Sequence, residues 1–358
     1  MTPDRRPPPP TRREWTRFFS FFFLTLVSVF LSYGWWWSGG DPFTDSEAFW
    51  DSAQFALGLM GILGAHEAGH YIVARRHGMD QTLPFFIPFP LAFGTLGAII
   101  RLRTPPRTRT ALLEMGAAGP LAGFVVALVV LALGLPGTVE HAVPEVVMTW
   151  PPPPPEPPGP VGEALGAALG ALASILPEGE AVDGLPLTIM ANPLVMDILG
   201  LAVLGEAPGR YAELTPLGLA GWAGCFLTAM NLLPIGQLDG GHVLRAIAPR
   251  AAEVVARVGL VMVGLAGFVF WQGWTVWAVL LWLLGAWRGL PARNLEAPST
   301  RARVIAALTA VTLVLCFMPN PVESETVSWD ELRVIDQHGE RVPPEALRTW
   351  WSDLRDEG

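Results

Sequence analysis

His66-Glu67-Ala68-Gly69-His70 sets two imidazoles at i and i+4 within an apolar segment. On a helix these side chains share one face, a turn apart, where both rings can reach a single zinc ion. Glu67 projects beside them and is the natural base for a metal-activated water. The flanks, Phe55 to Leu63 and Tyr71 to Ala74, carry no charge. Ionisable groups are costly in such surroundings and mark function. A catalytic zinc also needs a third protein ligand and one open position. Between Leu214 and Arg250 the chain has one acid, Asp239, followed by Gly240 and Gly241 and preceded by Pro234. Pro and Gly would unwind a helix end there and let the carboxylate reach a neighbouring helix. Asp-Gly is equally an ordinary turn, so taken alone Asp239 reads either way.

The elements that must position these groups are membrane helices. Of 358 residues, 51% are hydrophobic and only 15% charged, against about 25% charged in soluble domains. The two cysteines, Cys225 and Cys316, sit inside apolar segments and make neither a disulfide framework nor a Cys-rich metal site;. The net charge of -9 says little by itself, because the acids cluster outside the apolar spans, and no nucleic-acid partner is expected. All 23 basic residues are Arg. Five lie in residues 1–17 and six in 75–110, whereas 136–213 holds ten acids and only Arg210 as a base. The positive-inside rule then places the N terminus, loop 75–110, the Asp239 region and residues 288–303 in the cytoplasm. The metal motif falls on that side of the membrane.

The expected architecture is an all-α polytopic membrane protein with about six to eight transmembrane helices. Residues 1–17 read as a disordered Arg/Pro-rich arm. Residues 18–135 form a transmembrane core opening on Phe18 to Trp37, which reads as an uncleaved anchor. Residues 136–213 read as a Pro-rich insertion outside the cytoplasm, with 161–176 and 185–205 as interfacial helices or an extra hairpin. Residues 214–318 complete the core, with 252–287 turning near Gln272-Gly273, and 319–358 form an acidic outer tail. Leu83 to Ile100 is apolar but broken by Pro84, Pro88, Pro90, Gly94 and Gly97, which points to a re-entrant, hairpin-like segment near the metal.

Together the motifs resemble the site-2 protease family of intramembrane zinc metalloproteases. His66 to His70 matches the family's His-Glu-x-x-His. Asn231-Leu-Leu-Pro234-Ile-Gly-Gln-Leu-Asp239-Gly matches its second motif, and Gly116-Ala-Ala-Gly119-Pro120-Leu-Ala-Gly123 looks like its small-residue motif. Phe93 to Ile100 and Ala220-Gly221-Trp222 look most similar to the branch of chloroplasts and related bacteria, which suggests a bacterial cytoplasmic membrane. The resemblance implies one zinc per chain on His66, His70 and Asp239, with Glu67 as general base. It places Asn231 near the scissile carbonyl, in both a catalytic and a substrate-binding role. The implied partners are the lipid bilayer and a membrane-protein substrate with a transmembrane segment. The oligomeric state is not legible. Neither the Pro-rich region nor the tail reads as the PDZ or nucleotide-sensing module that many members carry.

Three further expectations follow. Gly94, Thr95, Leu96, Gly97 and Ala98 form a β-compatible edge that could pair with extended substrate, or merely plug the site against water. On a regular strand the donors of Thr95 and Ala98 would point in opposite directions. The glycines at 116, 119 and 123 should permit close helix packing, and His242 reads best as a solvated loop residue. The competing functions are a catalytically silent relative that binds membrane proteins, against which the intact Glu67 argues, and a metal transporter, for which further ligands are missing.

Overall fold

Side-chain caps set where the long helices begin. The computed structural model describes residues 7–38, 41–141, 143–147, 150, 184–283, 285 and 296–357. Helix α1, Arg12–Trp36, starts ahead of the uncharged run because Thr11 and Glu14 form a capping box;. Asp45 accepts from the Glu47 N–H at 2.8 Å and opens α2, Ser46–Arg76. Strands β1 (Phe85–Pro88) and β2 (Thr95–Ile99) follow, then α3, Arg109–Gly134, opened by Thr108. Past β3, Glu145–Val147, the expected helix at 161–176 lies outside the described residues. The stretch 185–205 divides into strand β4, Gly184–Met190, and helix α4, Leu194–Val203. Thr215 caps α5, Pro216–Leu232, and α6 is Asp239–Ile247. Helices α7, Pro249–Val269, and α8, Gly273–Leu283, break at 270–272. Ser299 caps α9, Thr300–Cys316. Strands β5 (Val322–Ser328) and β6 (Arg333–Ile335) and helix α10 (Pro344–Glu357) end the chain.

These elements form two units. The first holds α1 to α9 with β1 and β2. Here α3 is central, packed on α2, α5, α6 and α9. A core of Ala74, Met79, Leu112, Leu113, Ala117, Val243, Ala246 and Ala302 joins α2, α3, α6 and α9. Among the described residues, three helices are long and apolar enough to cross a membrane: Arg12–Trp36, Arg109–Gly137 and Pro249–Val269. Helix α2 is not one of them, because His66, Glu67 and His70 dilute its apolar run. The chain is a helical membrane protein.

The second unit is a small α/β fold that the sequence reading did not assign. Strand β4 pairs antiparallel with β5, from Gly184↔Ser328 to Met190↔Val322, and β3 pairs parallel with β6. Its core is Val327, Trp329, Leu332, Val334, Val342 and Leu347. Arg210 bridges Glu323 at 2.8 Å and Glu325 at 2.9 Å across the β5 face. In the turn after β6, the N–H groups of Glu340 and His338 hold the Asp336 carboxyl below the usual carboxylate range.

The broken apolar stretch of the first unit forms β1 and β2, an antiparallel pair held against α1. Phe22 meets Phe86 edge-on at 5.2 Å, and Ser32 Oγ and Trp37 Nε1 both donate to the Ala92 carbonyl, at 2.8 and 3.1 Å. The pairing runs Phe85↔Ile99, Phe86↔Ala98, Pro88↔Thr95, so two residues of β2 oppose one of β1. This is a bulge, and Gly97 takes the left-handed conformation it requires, φ +86°;. Pro88 has no N–H, and the Phe89 N–H donates to the Gly94 carbonyl at 3.1 Å. Pro88↔Thr95 is therefore a non-hydrogen-bonded pair, and Phe86↔Ala98, two residues along β1, is another. Thr95 and Ala98 both turn their backbone groups away from β1. The opposite directions expected of a regular strand are corrected by the bulge.

Candidate metal centre

Each member of the cluster is placed by a different local cause. His66, Glu67 and His70 follow one another along a turn of α2. Asp239 reaches them because α5 stops at Leu232, and after the 233–238 turn α6 begins at Asp239 itself. Gly240 makes the close return possible: a Cβ there would strike the Leu232 carbonyl and lie 2.7 Å from that of Leu233.

The three ligand atoms form a nearly equilateral triangle. His66 Nε2 and His70 Nε2 are 3.1 Å apart, His70 Nε2 and Asp239 Oδ2 3.2 Å, and His66 Nε2 and Asp239 Oδ2 3.3 Å. One face of a zinc tetrahedron with ligand bonds near 2.0–2.1 Å has edges of about 3.3 Å. Two imidazoles and one carboxylate are also a donor set suited to zinc. The residues present fit the ion that the sequence motifs imply. His70 Nδ1 lies 2.8 Å from the Met115 carbonyl, so the proton sits on Nδ1 and the Nε2 lone pair is left for a metal;. Among the described residues, no other group of His, Cys, Asp and Glu converges in this way.

Glu67 is buried at 7% exposure and contributes no atom to the triangle. Asn231 is half-buried in the last turn of α5 and makes no hydrogen bond to the triangle. Of the expected edge residues, Thr95, Leu96, Gly97 and Ala98 lie on β2. Gly94 sits in the turn before it, at φ +82°, with its Cα closed against the backbone of Ser28 and Val29 in α1. Leu96 is 57% exposed, and among the described residues no strand pairs with the outer edge of β2.

The wall behind the triangle is α3. A Cβ at Gly119 would overlap the His70 ring, and one at Gly123 would lie 3.2 Å from His66 Cβ. A Cβ at Gly116 would lie 2.8 Å from His242 Cβ and 3.1 Å from the Asp239 carbonyl.

Residues 54–270 match the family described as peptidase family M50. The chain belongs to that family, which is the family of the site-2 proteases. It is 30% identical over 291 residues to the probable zinc metalloprotease EGY2, chloroplastic, of Oryza sativa subsp. indica, covering 78% of this chain and 45% of that protein. The Arabidopsis thaliana protein of the same name is 27% identical over 281 residues, 78% of this chain and 44% of its own. The probable zinc metalloprotease EGY3, chloroplastic, of Oryza sativa subsp. indica is 24% identical over 307 residues, 83% and 46%. The chain thus spans less than half the length of these curated relatives. No solved structure matches.

Within this M50 chain, sequence reasoning missed the Met115 carbonyl, because a backbone acceptor leaves no trace in residue types. It also missed that the glycine motif backs the metal ligands themselves. His242 is corrected: it is no solvated loop residue but is 8% exposed on α6, with Nδ1 buried and unpartnered. It still stands outside the triangle. Asp239→Asn is therefore expected to lower bound zinc sharply, and His242→Ala to leave it nearly unchanged, by elemental analysis of purified protein. Equal losses in both would mean that the third ligand is misassigned.

Proposed function

We propose that this chain is an intramembrane zinc endopeptidase that hydrolyses peptide bonds within or near transmembrane segments of membrane proteins. The convergence of His66, His70 and Asp239, with Glu67 buried beside them on α2, carries the reading. Zinc, when bound, supplies the Lewis acidity that makes water nucleophilic near neutral pH and polarises the scissile carbonyl. Glu67 takes the proton from the attacking water and returns it to the leaving amine. Asn231, at the end of α5, donates its amide to the carbonyl oxygen as charge develops there. The apolar runs support six to eight crossings, and the Arg distribution supports an N terminus and metal centre on the cytoplasmic side. The test is cleavage of a single-span peptide by purified protein of measured zinc content. Product formed in proportion to bound zinc is expected. Stoichiometric zinc without product would favour the silent relative.

A helical substrate shields its own peptide bonds, so a locally extended segment must be held, and its freed backbone groups cost several kcal/mol each in lipid if unpaired. In this reading the outer edge of β2 takes them up, with the segment folded back into the membrane as a re-entrant hairpin. Thr95 and Ala98 both face that edge. Thr95→Pro and Ala98→Pro are each expected to cut cleavage strongly with zinc content normal. Ile99→Pro, which removes a donor to β1, should loosen the hairpin instead. Wild-type cleavage by both outward variants would exclude the edge as a substrate clamp.

A further inference from the structure

A cavity of about 330 Å³ lies between the last turn of α2, the first half of α3 and the first turns of α9, away from the metal triangle. This is at the lower end of the size of ligand pockets, about 300–1,000 Å³. Its walls are of two kinds. Val73, Ala118, Leu121 and Ile305 are apolar, while Arg76 and Arg301 stand at the helix ends. The remaining lining pair is bonded to itself, His77 Nε2 lying 2.8 Å from Glu114 Oε2. Arg76 and Arg301 have no hydrogen bond or ion pair to any described residue. Two guanidinium groups on different helices thus flank one cavity whose single carboxylate, Glu114, is engaged by His77. The surface beside it is apolar and exposed, with Ile72 of α2 at 48%, Val304 at 56% and Leu308 at 53% on α9.

We propose that this groove binds an anionic phospholipid, its phosphate held by Arg76 and Arg301 and its acyl chain laid along Val73, Leu121 and Ile305. The polarity of the groove changes along its length as that of a lipid does. The C-terminal end of α2 and the N-terminal end of α9 both lie at the membrane face to which the Arg distribution assigns the cytoplasm. Anionic headgroups are attracted to basic residues at that face. A zwitterionic lipid offers the same phosphate but brings its own cation up to two guanidinium groups, which oppose it. Free phosphate would match them but leave the apolar wall in contact with water. The groove also shares a floor with the metal site: α3 meets α2 where the Ala118 carbonyl closes on Gly69, between the two histidines.

The test reads binding rather than cleavage, so it stands apart from the protease reading. Thermal unfolding of the purified full chain in nonionic detergent is followed with phosphatidylglycerol, phosphatidylcholine or inorganic phosphate added. Phosphatidylglycerol at a hundredfold above its Kd should raise Tm by roughly 5 °C. The other two should leave it unchanged. The shift should vanish in the Arg76→Ala/Arg301→Ala variant and persist, reduced, in Arg76→Lys/Arg301→Lys, since lysine binds phosphate as a point charge without the fork. An equal shift with phosphatidylcholine or with phosphate alone, or a shift that survives the double alanine change, overturns the assignment. Should the double variant fail to fold, the wild-type chain decides the matter. A phosphatidylglycerol with a photoactivatable acyl chain should label Val73, Leu121 or Ile305, and labelling confined to other sites overturns the proposal.

Discussion

Replacing Glu67 by Gln is expected to leave zinc in place and to lower cleavage of a single-span peptide a hundredfold or more. Gln keeps the shape of the side chain and removes its basicity. Glu67 supplies no atom to the triangle of His66, His70 and Asp239, so the metal keeps all its protein ligands. What is lost, under the proposed mechanism, is the group that takes the proton from water and hands it to the leaving amine. Removing such a base costs typically about 10²–10⁴ in rate, or roughly 3–5 kcal/mol of barrier. The two readouts separate the alternatives. Loss of zinc along with activity would make Glu67 a support for the metal rather than its base. Full activity with zinc present would sink the mechanism, since no other carboxylate joins the described cluster.

The cluster of His66, His70 and Asp239 was legible in the sequence because its logic is local. His66 and His70 are set by helical spacing, and Asp239 stands out as the lone acid of its segment. The hairpin was legible as a break but not in its register. The bulge at Gly97 inserts one residue and reverses the outward set, and a run of Thr, Leu, Gly, Ala and Ile carries no mark of where an extra residue sits. The second unit was hidden for another reason. Gly184 finds Ser328, and Glu145 finds Arg333, across most of the insertion and the last helices of the core. Val322 to Ser328 is mostly polar, with few apolar positions to announce a strand. Its structure rests on distant partners rather than on a periodic pattern. The glycine motif lies between these cases. Small residues at 116, 119 and 123 announced close helix packing, but not that the neighbour would be the metal ligands.

That neighbour gives the sharpest structural expectation. Gly119→Ala should weaken zinc binding at least tenfold and take cleavage with it, while Gly64→Ala should do neither. A methyl at Gly119 would be built into the His70 ring, whose Nε2, Cδ2 and Cε1 are the nearest atoms. A flexible side chain could swing aside, but this ring is held on two sides. Its Nδ1 is bonded to the Met115 carbonyl at 2.8 Å, and it meets the His66 ring in a T-shaped contact with centroids 4.8 Å apart. Any rotation that relieves the methyl moves Nε2 out of the triangle or breaks the Met115 bond. Loss of such an outer hydrogen bond alone costs about 10–100-fold in metal affinity. Gly64 lies on α2 two residues before His66, and a Cβ there meets nothing within 4 Å. Alanine in place of glycine inside a helix is otherwise favourable by roughly 0.5–1 kcal/mol, so both variants should keep their helix content. Zinc retained against graded chelator, measured beside circular dichroism, separates a displaced ligand from a damaged fold. A Gly119→Ala protein that holds zinc as tightly as the wild type would mean that α2 and α3 can part without moving His70, and that the glycine serves packing alone.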